Sequence, residues 1–187
     1  MNRDDALTYD DRHRPDPDRP RPPKIPLSRR GWAFTIDFIG AGLFSGLLGG
    51  PAFAFAFLLA WFGLRVIMPL KQRGQSLGRW AFDLKLIETR FYKTPSFIEL
   101  CKREGITGIE ALLAFICLVN LGPTSGSYLL LVLPLAIDCG RAFADPTDQS
   151  AFHDRFTNTF VVGSRRGYSL DVKVRKWVAI ARQRMKQ

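Results

Sequence analysis

The chain has 187 residues, with 27 Lys and Arg against 17 Asp and Glu, a formal net charge of +10. That length gives one domain with little room for a second. The charge alone would suit a nucleic-acid binder, but residues 31–70 and 106–144 are almost free of charge, and apolar blocks of that length exclude a soluble protein of that kind.

Residues 1–28 mix both charge signs with repeated proline, as in Arg14-Pro-Asp-Pro-Asp-Arg-Pro20. Such a segment cannot bury enough apolar area to order, and reads as a disordered cytoplasmic tail, partly polyproline-like. It has no apolar stretch of the kind a cleaved signal peptide needs. The first apolar block follows. A helix rises ~1.5 Å per residue, so roughly 20 residues cross a bilayer. The block is therefore two crossings, at about 31–49 and 52–69, broken by Gly49-Gly50-Pro51.

Residues 71–105 carry Lys71, Arg73, Arg79, Lys85, Arg90, Lys93, Lys102 and Arg103. Within them, Leu77, Trp80, Ala81 and Leu84 have helical spacing suited to a membrane surface. Leu84-Lys85-Leu86-Ile87 reads as a short strand, and Thr94-Pro95-Ser96 opens a helix that approaches the third span. The second apolar block gives spans at about 106–121 and 127–143, separated by a turn over Gly122–Ser127. A re-entrant pair is the alternative there. Beyond it, residues 164–187 read as a basic amphipathic helix, in which Arg165, Arg166, Lys173, Arg175 and Lys176 face anionic lipid headgroups or a partner.

The basic residues set the orientation. The expected fold is an all-α integral membrane protein of four transmembrane helices, arranged as two hairpins with a cytoplasmic amphipathic loop between the second and third. It is multi-pass, with both termini cytoplasmic. Residues 29–163 form the membrane domain. Trp32 and Trp80 are expected as interface anchors. Gly42 and Gly46 allow close helix approach, and Ser45 and Asn120 bond to backbone carbonyls.

Charges inside spans cost about 2.5–3.5 kcal/mol each on insertion scales, so the few present need partners. Arg30, Asp37, Arg65, Glu110, Asp138 and Arg141 all fall in the inner half of the bundle. Asp37 and Asp138 lie at the depth of Arg65 and are expected to share it. Two readings stand side by side: a neutralised clasp that fixes helix packing, or an ion or proton site open to the cytoplasm. Cys101, Cys117 and Cys139 are expected as apolar filler. No catalytic residue, metal site or cofactor is expected: phosphate loops and nucleophile elbows are missing, and His153-Asp154 are sequence neighbours whose side chains need not face one another.

Three stretches together resemble the RDD family of membrane proteins. They are Arg29-Arg30-Gly-Trp-Ala-Phe-Thr-Ile-Asp37, then Gly74-Gln75-Ser76-Leu77-Gly78-Arg79 followed by Leu84-Lys85-Leu86-Ile87, and His153-Asp154-Arg155-Phe156-Thr157-Asn158-Thr159 followed by Val161-Val162. The resemblance covers about residues 28–163. Arg30 and Asp37 match the family's first arginine and aspartate, and Asp154 the motif after the last span. Phe156-Thr157-Asn158 stands where the family has Leu-Ala-Gly. The resemblance implies a polytopic membrane protein, with transport, including cation–proton exchange, suggested for some members.

Two functions are expected on these grounds. One is a small transporter or ion/proton-exchange component, lined by Asp37, Arg65 and Asp138 with Arg30 and Asp154 at its mouth, and working as a homo-oligomer. The other is a non-catalytic membrane scaffold or assembly factor, docking a membrane-protein partner or anionic lipid through its basic loop and tail. The lipid bilayer is a partner in both; nucleic acid is in neither.

Overall fold

A computed structural model describes residues 25–89, 91–122, 126–144, 149–164, 169–170 and 172–174. The expected tail up to residue 24 lies outside the described residues. So do Arg165, Arg166, Arg175 and Lys176 of the expected C-terminal helix; Lys173 is helical and exposed.

Helix α1, Leu27–Leu48, begins directly after Pro26, whose fixed φ suits a helix start. It ends at Gly49 and Gly50, both at positive φ, a conformation that glycine alone adopts without penalty. Helix α2 spans Gly50–Lys71. It opens with a 3-10 turn over Gly50–Ala52, is α-helical over Phe53–Phe62 and widens into a π turn over Gly63–Ile67. Pro69 accounts for the widening: it has no N–H to give the carbonyl of Arg65, four residues back. The short α3, Leu77–Ala81, is capped by Ser76, which accepts from the Arg79 amide.

Helix α4 runs from Phe97 to Val119 without a break. Ser96 and Glu99 form a reciprocal capping box at its start, with the Ser96 amide donating to Glu99 at 3.0 Å. Helix α5, Gly126–Ala144, is 3-10 over Gly126–Val132 and α-helical over Leu133–Ala144. The short α6, Phe152–Phe156, follows.

The short strand expected over Leu84–Ile87 is present, and its pairing with a second strand corrects the expectation of an all-α fold. β1, Leu84–Glu88, pairs antiparallel with β2, Thr159–Gly163, Leu84 facing Gly163 and Glu88 facing Thr159. Leu84 therefore does not continue the surface stripe of Leu77 and Trp80. It is fully buried with Ala33 and Phe82. Leu86 points the same way, at period two, and packs on Val66 and Leu100.

Among the described residues, three helices, α1, α2 and α5, are long and apolar enough to cross a membrane. The third span expected at about 106–121 falls in the second half of α4, which is not one of the three; the first turns of α4 carry Glu99, Lys102, Arg103 and Glu104. α1 packs on α2, α2 on α4, and α4 on α5. The core between α1, α2 and α4 is aromatic: Phe57 stacks on Phe115 at 5.0 Å, and Phe38 meets both edge-on. Gly42 is needed there, since a Cβ would lie 2.8 Å from the Phe115 ring; Gly46 has open space and plays no such part. Ser45 donates to the Phe53 carbonyl at 2.7 Å and Asn120 to that of Ile116 at 2.8 Å, as expected. The outward faces of α1 and α5 are apolar, with Leu47 85% and Ile137 72% exposed.

Candidate functional site

Asp37 lies fully buried on α1 and is held from three directions. Oδ1 accepts from the Gly78 amide at 2.7 Å, and Oδ2 from Ser76 Oγ at 2.6 Å and Arg65 Nη1 at 3.2 Å. This explains the Gly74–Arg79 motif. Gly78 has to be glycine, because a Cβ there would sit 1.9 Å from the Ala33 carbonyl oxygen. Gly74 stands at φ +86°, where a Cβ would lie 2.3 Å from the Leu86 carbonyl oxygen. Gln75 donates to the Leu84 carbonyl at 2.9 Å, tying the motif to β1.

Arg65, brought inward at the π turn of α2, lies over Trp61 at 4.8 Å and Phe34 at 5.4 Å. Its Nε donates to Glu104 at 2.6 Å. Glu104 also accepts from Arg79 Nη2 at 2.8 Å, Arg103 Nη1 at 3.3 Å and Thr107 Oγ1 at 3.0 Å. Arg103 continues the chain to Asp154, Nη2 to Oδ1 at 2.6 Å. Arg30 closes on the other oxygen of Asp154 and also donates to the Gln149 carbonyl at 2.6 Å. His153 Nδ1 meets Asp138 Oδ2, while Asp138 Oδ1 accepts from the His153 amide at 2.9 Å.

The expected sharing of Arg65 by Asp37 and Asp138 is thus half corrected. Asp37 does reach Arg65, but the second carboxylate on Arg65 is Glu104. Asp138 commits both oxygens to His153 instead. Asp154 is no mouth residue; it is 1% exposed, and Arg30 is the more open member of that pair. His153 and Asp154 do face one another, Nε2 to Oδ1 at 3.3 Å.

The result is one connected lattice of four guanidiniums, on Arg30, Arg65, Arg79 and Arg103, and four carboxylates, on Asp37, Glu104, Asp138 and Asp154. It joins α1, α2, α3, α4, α5 and α6. Ions this buried survive only because each has opposite charge and hydrogen bonds around it. His153 is the member whose charge can change. When neutral with its proton on Nδ1, it donates to Asp138, and Nε2 accepts from Arg103 Nη2 at 3.0 Å. When protonated, Nε2 turns donor to Asp154.

Charge and burial act on each titrating group outside the apolar helices. Burial pulls the His153 pKa down, but Asp154 and Asp138 outweigh it and hold the value above the ordinary 6.5. Burial would raise Asp154, yet Arg103 and Arg30 hold it well below the usual carboxylate range. Burial, then the charge of Arg65, pushes Arg79 down to about 10 against the opposing pull of Glu104.

Beside the lattice lies a cavity of about 170 Å³. Arg30, Arg65, Arg79, Arg103, His153 and Asp138 contribute its polar wall; the remainder is mostly apolar, from α1, β1 and α5. Among the described residues, Arg79 Nη1 and Arg103 Nε are buried without a hydrogen-bond partner, as is Glu110 Oε2 on α4. Glu110 lies within electrostatic range of Asp138 and His153.

The sequence reading missed Glu104, Arg103 and Arg79 as lattice members, and His153 as the partner of Asp138. The first two had a signal. The buried residues of α4, Leu100, Arg103, Glu104, Thr107, Gly108 and Ala111, keep strict helical spacing, so extending the helix to Ser96 puts both charges on its inner stripe.

The RDD family model matches residues 25–158. The chain belongs to the RDD family. The matched range contains every lattice residue of this RDD protein and ends just before β2. RDD proteins are membrane-associated, in keeping with the three apolar helices found here. No curated protein and no solved structure matches the RDD chain.

Proposed function

We propose that this RDD protein is a proton-coupled membrane carrier component, with the cavity as its ligand site and the Asp138–His153 pair as its proton-loading element. The proposed topology has four crossings, α4 supplying the third, with the lattice in the cytoplasmic half and both termini cytoplasmic. The observation that carries the reading is the position of His153. It sits between two carboxylates and an arginine, on the cavity wall, with a different hydrogen-bond pattern for each protonation state. A bare cation fits the cavity poorly, because four arginines and His153 line it against a single carboxylate, Asp138.

The test is proton flux in vesicles reconstituted with purified protein under an imposed pH gradient. His153→Gln and Asp138→Asn abolish the flux while Lys173→Gln leaves it intact. Equal flux from wild type and His153→Gln overturns the reading. A non-catalytic scaffold is the second reading, and one observation favours it: Asp37 is fully engaged at the Ser76–Gly78 corner, as a structural clasp would be. Crosslinking in native membranes that recovers a stable protein partner, together with absent flux, supports that reading.

A further inference from the structure

The cavity wall is lopsided in charge. Four arginines and His153 face it, against Asp138 as the one carboxylate among its lining residues. The other lattice carboxylates lie behind the arginines. Two guanidinium N–H groups of wall residues, Arg79 Nη1 and Arg103 Nε, are buried and unpaired, although both side chains are at most 4% exposed. An unpaired buried donor is costly, and a charged acceptor is what satisfies it best.

The rest of the wall is apolar, including Leu27, Phe34, Leu135 and Phe143. A second, wider hollow of about 470 Å³ runs between α1 and α5 past Trp32, Thr35 and Val132. The two share Gly31, Phe34, Leu135 and Cys139. The two hollows therefore adjoin, one beside the apolar faces of helices long and apolar enough to cross a membrane, the other beside buried guanidiniums. Their polarity runs from apolar to cationic, the mirror of an acidic amphiphile.

We propose that the cavity binds the phosphate of an anionic phospholipid, taken in sideways from the bilayer along the groove between α1 and α5. The phosphate lies against the guanidinium wall; Arg79 Nη1 and Arg103 Nε, closed off from the cavity as it stands, turn to donate to its oxygens, and an acyl chain lies along the groove. The inference names a substrate class for the carrier reading and rests on the same cavity.

Gly31 gives a clean test. It borders both hollows, and a Cβ added there meets nothing within 4 Å. Gly31→Leu therefore plugs the junction without moving the backbone. Arg79→Lys keeps the charge beside Glu104 but removes the second guanidinium N–H. The full chain, purified in neutral detergent, is titrated with phosphatidylglycerol or phosphatidylcholine, and retained lipid is counted by native mass spectrometry. Wild type retains phosphatidylglycerol over phosphatidylcholine. Both variants lose retention by about tenfold or more, as for loss of one charge-assisted hydrogen bond, while melting within a few degrees of wild type.

Equal retention of the two lipids, or undiminished retention by folded Gly31→Leu, overturns the proposal. So does displacement by millimolar inorganic phosphate, which assigns the site to a free anion. Retention is read without a gradient: a protein that selects phosphatidylglycerol yet carries no proton flux overturns the carrier reading and keeps this one.

Discussion

Glu104 shows how the lattice works at the scale of one side chain. Its carboxylate accepts from Arg65, Arg79 and Arg103 while 0% exposed. Glu104→Gln keeps the shape but leaves those guanidiniums without their counter-charge. Removing one partner of a buried ion pair costs about 3–5 kcal/mol, so we expect a loss of that order in unfolding by denaturing detergent. A loss no larger than that of an exposed control, such as Lys71→Gln, would show that the network does not hold the fold together. His153 and Asp154 set the pH dependence. The raised His153 value contributes stability fully present below about 6.5 and lost as pH rises through the folded value. The depressed Asp154 value contributes stability present above about 3.9 and lost as pH falls through its lower folded value. Melting temperature should plateau between these limits and decline on the alkaline side. His153→Gln should flatten that decline, and an unchanged alkaline limb would remove His153 as its source.

At the scale of elements, glycines decide where backbones meet. Gly78 brings the start of α3 against the Ala33 carbonyl and delivers its own amide to Asp37. Gly78→Ala must push α1 and α3 apart, and overpacking of this kind costs about 1–3 kcal/mol. Gly108→Val should cost a similar amount, since its Cβ would lie 2.9 Å from the Trp61 ring. Gly105→Ala, with open space around it, serves as the neutral control; thermal melts of all three in detergent check the order. The same elements show what was legible beforehand. Gly49-Gly50-Pro51 marked the end of α1 because glycine at positive φ is a local requirement. Asp37 and Arg65 could be matched because depth along a helix follows from counting residues. The β1–β2 pair could not be, because the partner of Leu84 lies at Gly163, across the whole of α4 and α5. Asp138 was assigned to the wrong base for the same reason: its partner His153 arrives from the next short helix, and sequence gives no depth for a loop. The length of α4 was missed because Arg103 and Glu104 look like the edge of a span, when they are buried inside the fold.

Across the whole molecule, apolar faces look outward while charge is gathered into a closed lattice at one end of the bundle. The topology proposed above predicts that tags placed before Met1 and after Gln187 are reached by an impermeant reagent only once the inner face is opened. Labelling of the two from opposite sides would end the four-crossing scheme and leave the lattice geometry to be re-oriented. The deeper claim is that eight charges on six helices behave as one unit rather than as separate pairs. Its most direct test is a double-mutant cycle between Asp37→Asn and Asp154→Asn, which share no direct contact and are linked through Arg65, Glu104 and Arg103. Independent sites would add; groups in one network show coupling of about 0.5–3 kcal/mol. Unfolding free energies of the four proteins should give a coupling in that range, and additivity within error would contradict the account.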